Sequence, residues 1–317
     1  MATLLVIGGS GFFGKSILDG FARGLLKPWN ISHVIVMARN AHCLVKEAPQ
    51  LISPNITLLS GDITTIDALP YADFVIHAAA TTDARNYISQ PESERNNIQA
   101  GTYNYCRLAK KFHDESKIVY VSSGAVYGVQ PPNLDEIDES FVGDLSKMAP
   151  GKLDYAVAKQ DAEKAIIDLG TAGLNVSIAR CFAFVGCWLP RDQHFAIGNF
   201  INDMLNNRPI VVKAKHQVYR SYMYADDLVE WLMTIADHSS TDCPIYNVGS
   251  DEAINICDLA KLVARLNKLK VDKHMVCDPH VDRYIPSIEK AKNELRLKLK
   301  FDLCASIEQT IKIINNN

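Results

Sequence analysis

Short apolar runs alternate with longer amphipathic segments through the first 180 residues. The runs are rich in β-branched side chains, as expected for strands buried on both faces of a sheet. They predict strands at Leu4–Ile7, Val34–Met37, Ile56–Leu59, Phe74–His77, Ile118–Val121 and Val176–Ala179. The intervening segments predict helices at Gly14–Arg23, Glu92–Phe112 and Tyr155–Leu169. This alternation predicts a doubly wound α/β fold, in which helices cover both faces of a parallel sheet.

The pattern changes after about residue 180, where proline-containing loops separate shorter elements. Further helices are predicted at Ala225–Ala236 and Ile256–Leu266. We therefore expect a sheet domain over residues 1–180 and, intertwined with it, a smaller α/β lobe over residues 181–317. Ligands of open α/β sheets bind at the carboxyl edge of the strands, so this second lobe is expected to cover that edge and bind substrate.

The composition is that of an ordinary globular protein, since 48% of the 317 residues are hydrophobic and 22% are charged. The net charge of −3 gives no reason to expect nucleic acid or an anionic membrane as a partner. The eight cysteines are scattered without a C-x-x-C pair, and the N-terminus lacks the basic segment of a signal peptide. These features predict a cytoplasmic protein with reduced thiols, no membrane span and no metal site.

A glycine-rich loop follows the first predicted strand and opens a helix, the context that a dinucleotide-binding loop requires. Gly8 permits a tight turn, Gly11 lets the backbone approach a pyrophosphate, and Gly14 allows close packing of helix and strand. The helix N-terminus then offers free N–H groups to the phosphates. Phe12 and Phe13 belong to the same loop and are included in the predicted cofactor site.

The end of the second predicted strand bears on the choice of cofactor. An NAD site normally has an acidic residue there to bind the ribose 2′-hydroxyl, but no acidic residue lies between Asp19 and Glu47. Arg39 occupies this region instead and suits the 2′-phosphate of NADP. Stacking of Arg39 on adenine, with Asn40 at the ribose, would still permit NAD.

Three residues in order along the chain suggest catalysis of hydride and proton transfer. Ser123 ends an apolar strand, while Tyr155 and Lys159 lie four residues apart and so share one face of a helix. An ammonium group and a positive nicotinamide ring would both stabilise a tyrosinate, which prepares the phenol for proton transfer. Ser123 is expected to bind the reacting oxygen, and Lys159 also to hold the nicotinamide ribose.

These motifs together resemble the extended short-chain dehydrogenase/reductase family, in its nucleotide-sugar epimerase, dehydratase and reductase branch. The resemblance covers nearly the whole chain and implies a Rossmann-type fold with a C-terminal substrate lobe. It is carried by Gly8–Gly14, Gly61–Ile63, His77–Ala80, Ser123–Gly128, Tyr155–Lys159, Arg180–Phe182 with Gly186, Arg220–Asp227, Tyr246–Gly249 and Arg283.

The resemblance also implies roles for single residues. Asp62 and Ile63 would lie at the adenine, and Ala78, Ala79 and Ala80 would line the cofactor. Arg220 and Arg283 would bind the diphosphate of a nucleotide-diphosphate sugar, a role that suits two guanidinium groups. A homodimer formed through the helices at Glu92–Phe112 and Tyr155–Leu169 is a further implication.

The chain departs from the family after the catalytic serine. The 4,6-dehydratases have an Asp-Glu pair there as acid and base, whereas this chain has Gly124 and Ala125. Gly124 is therefore expected to contact substrate without transferring a proton. Ala183 replaces an asparagine found in many epimerases, so further substrate contacts are expected from the Arg191–Asn199 loop, Asn199 among them.

Two enzymes fit these residues equally at the catalytic centre. One is an NADPH-dependent reductase of a nucleotide-diphosphate 4-keto-6-deoxy-sugar, which Arg39 favours. The other is an NAD-dependent 4-epimerase of a nucleotide sugar, and an atypical dehydratase is a further alternative. A regulatory protein that senses NAD(P) without catalysis is the alternative from another class, and the intact Ser123, Tyr155 and Lys159 argue against it.

Overall fold

The computed structural model describes residues 1–80, 89–273 and 280–316. A seven-stranded sheet consists of β1 (Ala2–Ile7), β2 (Ile31–Ala38), β3 (Ile56–Ser60), β4 (Phe74–His77), β5 (Lys117–Ser123), β6 (Val176–Cys181) and β11 (Ile245–Val248). Its order is β11-β6-β5-β4-β1-β2-β3, and all neighbours run parallel. Each of the six predicted strands lies inside an observed strand, so those predictions are confirmed.

The seventh strand was not predicted from the sequence. β11 is only four residues long, and it pairs with β6 from Ile245↔Ile178 to Val248↔Cys181. A run this short, following the proline loops of the second half, gives no clear strand signal. The chain beyond residue 180 therefore contributes both to the sheet and to the second lobe.

The helices are α1 (Phe12–Ala22), α2 (Cys43–Glu47), α3 (Pro91–Phe112), α4 (Pro150–Thr171), α5 (Ala196–Leu205), α6 (Ala225–Asp237), α7 (Ile256–Arg265), α8 (Glu289–Leu295) and α9 (Leu303–Asn316). α1 and α6 cover one face of the sheet, where Leu4 and Val6 point. α3 and α4 cover the other, where Leu5 and Ile7 point. Alternate strand residues thus enter two separate cores, which confirms the doubly wound fold. None of the described helices has both the length and the apolar character to cross a membrane.

Helix α4 begins five residues earlier than the sequence suggested. Its first residue is Pro150, whose fixed backbone angle suits the first turn and whose missing N–H costs nothing there. Leu153 already donates its backbone N–H to Ala149. Tyr155 and Lys159 consequently lie inside the helix rather than at its start, where packing of α4 against the sheet fixes their direction.

The second lobe carries three small groups of strands around its own apolar core. The pairs are β7 (Phe184–Val185) with β10 (Met223–Tyr224), and β8 (Ile210–Val212) with β13 (Val271–Lys273). A three-stranded sheet has the order β12 (Ile254–Asn255), β9 (Gln217–Arg220), β14 (Val281–Tyr284). In the parallel pair β9–β14, Arg220 lies opposite Tyr284 and Tyr219 opposite Arg283.

Candidate active site

The glycine loop lies between β1 and α1, at the point where the strand order of the sheet reverses. Gly8 has a φ of +87°, and an added Cβ would lie 2.7 Å from the backbone of Ala78. At Gly14, an added Cβ would lie 2.0 Å from the carbonyl oxygen of Gly9. The turn and the close helix packing expected of these two glycines are therefore both present. Crevices at such reversal points are the usual ligand sites of open α/β sheets.

A cleft of about 360 Å³ opens beside this loop. Seven residues of the predicted cofactor site line it, namely Gly8, Gly11, Arg39, Asp62, Ile63, Ala79 and Ala80. Phe12 and Phe13 instead pack edge-on or tilted against Phe184, and Gly14 and Ala78 lie behind the loop, in contact with its backbone. These four residues therefore support the loop from behind and do not line the cleft itself.

The floor of the cleft near β2 and β3 is held by local hydrogen bonds. One carboxylate oxygen of Asp62 accepts from the backbone N–H and the hydroxyl of Thr64, at 2.9 and 2.8 Å. Arg39 and Asn40 are exposed at the rim. The rim at the end of β2 therefore presents a guanidinium and an amide, in keeping with the sequence.

Ser123 occupies the carboxyl end of β5, and a 3₁₀ turn follows at Gly124–Tyr127. Its Oγ accepts a hydrogen bond from the backbone N–H of Ala125 at 3.2 Å. The hydroxyl of Tyr284, from the second lobe, lies 3.4 Å from the same Oγ. The serine hydroxyl is thus held by its own turn and by a strand 161 residues further along the chain.

Lys159 reaches from α4 into the sheet and is only 2% exposed. Its Nζ donates to the carbonyl of Val121 at 2.8 Å and to the hydroxyl of Tyr120 at 3.3 Å. Burial lowers the pKa of Lys159, while Tyr155 opposes that change. Tyr155 is partly buried on the same side of α4 and also influences the pKa of Tyr284. The structure therefore brings Ser123, Tyr155 and Lys159 to one end of β5.

A buried ion pair behind these residues joins α4 to the sheet. Glu163, one turn after Lys159, accepts three hydrogen bonds from Arg180, the shortest at 2.7 Å. Ser122 also donates to Glu163, at 2.6 Å. Because Ser122 precedes Ser123 directly, Glu163 holds the end of β5 against α4. Arg180 belongs to the family-like segment of the sequence, and the structure gives it this supporting contact.

The predicted substrate residues of the second lobe separate into two groups. Arg220 makes a two-pronged ion pair with Asp282, with its shorter contact at 2.7 Å. Arg283 stacks on the ring of Tyr219, 4.6 Å from its centroid, and lies 3.7 Å from Asp135. The two arginines thus lie on adjacent strands. Asn199 is apart from them, and its amide donates to the carbonyl of Gln193 at 2.7 Å.

Three residues near the site were not predicted from the sequence. Tyr284 and Phe182 stack at 4.6 Å and cover Gly124, where an added Cβ would lie 2.7 Å from the Phe182 ring and 2.7 Å from the Tyr284 hydroxyl oxygen. Glu94 lies at the start of α3, lines the cleft and is 8% exposed. Tyr284 directly follows the predicted Arg283, and that proximity is the one sequence signal that would have found it.

His77 ends β4 beside the cofactor cleft and is fully buried between Tyr105 and Tyr120. Neither ring nitrogen has a hydrogen-bond partner within the described part of the chain. Burial, and secondarily the charge of Lys159, lower the pKa of His77 to about 3. A packed, neutral histidine fits this position. Residues 1–80, 89–273 and 280–316 contain no cluster of side chains suited to a metal ion.

A family model described as the NAD dependent epimerase/dehydratase family matches residues 4–249 of the chain. The chain belongs to this family. That membership confirms the expected extended short-chain dehydrogenase/reductase enzyme and supports a nicotinamide cofactor.

Individual relatives show several activities on the same fold. UDP-glucuronic acid decarboxylase 6 of Arabidopsis thaliana is 27% identical over 95% of this chain and 85% of its own length. UDP-glucose 4-epimerase of Thermotoga maritima, solved with UDP-glucose, superposes with a TM-score of 0.82 at 19% identity and covers 99% of both chains. A dTDP-glucose 4,6-dehydratase of Bacillus anthracis, solved with NAD, gives a TM-score of 0.80 at 17% identity, over 100% of this chain and 97% of its own. At these identities the structures support the fold alone.

Proposed function

We propose that the chain catalyses hydride transfer at C4 of a nucleotide-diphosphate sugar. The observation that carries the proposal is the meeting of α4 with the end of β5. There, Lys159 donates to the carbonyl of Val121, two residues before Ser123, and Tyr155 lies on the same side of the helix. This is the set of groups that a carbonyl–alcohol interconversion needs: a hydroxyl that binds the reacting oxygen, a phenol that transfers a proton, and a cation beside the phenol.

The cleft and glycine loop fit a dinucleotide, because the turn at Gly8 and the N-terminus of α1 both face the cleft region. When bound, the nicotinamide supplies or accepts the hydride. Tyr155 donates its phenolic proton to the C4 oxygen during reduction and takes it back during oxidation. Lys159 stabilises the tyrosinate by its charge, and Ser123 donates a hydrogen bond to the same sugar oxygen.

Elimination of water by an acid and a base placed after Ser123 is not part of the proposal. Gly124 and Ala125 carry no group that transfers a proton. The ring of Phe182 and the hydroxyl of Tyr284 also occupy the space that a side chain at position 124 would take. Simple hydride and proton transfer at C4 requires nothing at that position.

Two reactions remain within this chemistry. An NADPH-dependent reductase of a nucleotide-diphosphate 4-keto-6-deoxy-sugar is our first candidate, because Arg39 is exposed at the rim of the cleft where NAD sites have an acid. An NAD-dependent 4-epimerase is the second, supported by the fold similarity to the epimerase solved with UDP-glucose. Arg220 and Arg283 would bind the diphosphate in either case, and we expect a homodimer formed through α3 and α4.

The cofactor retained by the purified enzyme separates the two candidates. Bound NAD, together with interconversion of C4 epimers and no net cofactor consumption, identifies the epimerase. Weakly held NADP, with stoichiometric NADPH oxidation by a 4-keto-sugar, identifies the reductase. The substrate panel should include dTDP-, UDP-, GDP- and CDP-sugars, and a glucuronate because of the relatives named above. Absence of hydride transfer with every nucleotide sugar, while the cofactor binds, would refute catalysis and favour the regulatory alternative.

Arg39→Asp tests the cofactor preference directly. An aspartate repels a 2′-phosphate and accepts from a ribose 2′-hydroxyl, so we expect the ratio of NADP to NAD affinity to fall by at least about tenfold. Asn40→Ala is the matched control at the same rim, because it adds no charge. An unchanged ratio of NADP to NAD affinity in Arg39→Asp would show that Arg39 does not contact the group at the ribose 2′-position.

A further inference from the structure

Tyr284 brings a third hydroxyl to the reacting centre from the second lobe. Its Oη lies 3.4 Å from Ser123 Oγ, and its ring lies 4.6 Å from that of Phe182 at an interplanar angle of 34°. It also lies close enough to Tyr155 for the two to interact electrostatically. Tyr284 thus contacts Ser123, one of the three residues to which the proposed function assigns the chemistry.

The backbone around Tyr284 is fixed against the segment that follows Ser123. The N–H of Ile285 donates to the amide oxygen of Gln130 at 2.9 Å, and its carbonyl accepts from Ile137 at 2.9 Å. The N–H of Ser287 donates to the carbonyl of Ile137 at 2.7 Å. These bonds tie the end of β14 to residues 130–137, so the position of the Tyr284 hydroxyl does not depend on a loose loop.

The hydrogen-bonding capacity of Ser123 gives this contact a direction. A serine hydroxyl has one proton to donate and two lone pairs to accept with. The N–H of Ala125 already occupies one lone pair. Burial raises the pKa of Tyr284 and keeps its phenol protonated at neutral pH. If Tyr284 fills the second lone pair, the proton of Ser123 is left free for a substrate oxygen.

We propose that Tyr284 is a positioning residue, whose O–H donates to Ser123 Oγ and thereby directs the serine proton to the C4 oxygen of the sugar. This inference rests on the proposed function, in which Ser123 binds that oxygen. The Tyr284 hydroxyl and the Phe182 ring also fill the space over Gly124, next to Ser123. Tyr284 therefore acts through Ser123 and not by a proton transfer of its own.

The Tyr284→Phe variant keeps the ring and removes the hydroxyl. Loss of one hydrogen bond that aligns the serine predicts a fall in kcat of about 5- to 10-fold, with KM for the nucleotide sugar and Kd for the cofactor within about twofold of wild type. Tyr105→Phe is the matched control, since Tyr105 is also fully buried but its hydroxyl has no partner within the described residues. An unchanged kcat in Tyr284→Phe, or an effect on KM alone, would overturn the proposal.

A double-mutant cycle tests whether Tyr284 acts through Ser123. In a Ser123→Ala background, Tyr284→Phe should lower the residual kcat no further, because the group that it aligns is already gone. A second loss as large as the first would mean that Tyr284 meets the sugar directly, contrary to the proposal.

A measurement without substrate separates this proposal from the proposed function. The protein is labelled with ¹³C at the Cζ of tyrosine and studied by NMR. The Tyr284 signal is assigned as the one that disappears in the spectrum of the Tyr284→Phe variant. Ser123→Ala should shift that signal while leaving the Tyr105 signal in place. No shift would rule out the hydrogen bond even if the enzyme turns over nucleotide sugars. A clear shift in an enzyme without such turnover would refute the proposed function and leave the contact standing.

Discussion

The cofactor side and the substrate side of the candidate site differ in the kinds of residue that form them. The cofactor side includes small residues, such as Gly8, Gly11 and Ala79, that leave the backbone at the ends of parallel strands open to the cleft. The substrate side consists of large or charged side chains, Arg220, Arg283 and Tyr284, on two strands of the second lobe. Backbone atoms suit a ligand part that is always the same, whereas side chains change easily between enzymes. Under the proposed function, the cofactor side would support the shared hydride chemistry, and Arg220 and Arg283 on the substrate side would contribute to the choice of nucleotide sugar.

This comparison also explains how much the sequence revealed. The glycine loop and the six strands depend on local patterns, and these elements were predicted correctly. The roles of Ser123, Tyr155 and Lys159 stay predictions. β11 and the contact of Tyr284 with Ser123 depend on pairings more than 60 residues apart, as the 161-residue separation of the latter illustrates. No local period carries that information. The early start of α4 was missed because apolar periodicity says little about a first turn that begins with Pro150 and Gly151.

Among substitutions on the cofactor side, we expect Gly14→Ala to cause the largest loss of cofactor binding. The new Cβ would lie 2.0 Å from the carbonyl oxygen of Gly9, a backbone atom that cannot move without distorting the loop. We expect the free energy of unfolding to fall by about 1–3 kcal/mol and the cofactor Kd to rise by about 100-fold. Calorimetry and fluorescence titration measure the two.

Gly11→Ala is the control for that substitution. Among the described residues, its Cβ would meet only the Gly8 carbonyl oxygen, at an ordinary 3.6 Å. The free energy of unfolding should therefore stay as in wild type. The cofactor affinity should still fall if a pyrophosphate approaches the backbone there. A Gly14→Ala enzyme that binds cofactor like wild type would contradict the structure of the loop.

The buried layer behind the cofactor side can be tested by pH. Because the pKa of folded His77 is about 3, below the 6.5 of the unfolded chain, the unfolded chain binds the extra proton as the pH falls. The stability is therefore complete above pH 6.5 and is lost below it, by about 2 kcal/mol at pH 5. His77→Phe should remove this loss in denaturant titrations at pH 7 and pH 5.

Part of the acid sensitivity should survive in the His77→Phe variant. Burial also lowers the pKa of His113, which keeps its own contribution with the same sign. If His77→Phe retains the full loss at pH 5, His77 is not the group responsible.

On the substrate side, Arg220→Ala should weaken binding of the nucleotide sugar without changing the affinity for the cofactor. Loss of a charge-assisted contact to the diphosphate predicts an increase in KM of about tenfold. Steady-state kinetics with both ligands varied would show it. Arg208→Ala is the control, since Arg208 forms an exposed pair with Asp203 in the same lobe. An equal loss of cofactor affinity in Arg220→Ala would show that Arg220 does not act on the substrate side alone.

The central claim is that Tyr155 transfers the proton that accompanies hydride transfer. The direct test is Tyr155→Phe, with nicotinamide absorbance at 340 nm followed after a nucleotide sugar is added to the cofactor-loaded enzyme. We expect the cofactor Kd to match wild type and the rate of hydride transfer to fall by about 10²- to 10⁴-fold. A Tyr155→Phe enzyme that transfers hydride at the wild-type rate would contradict the account.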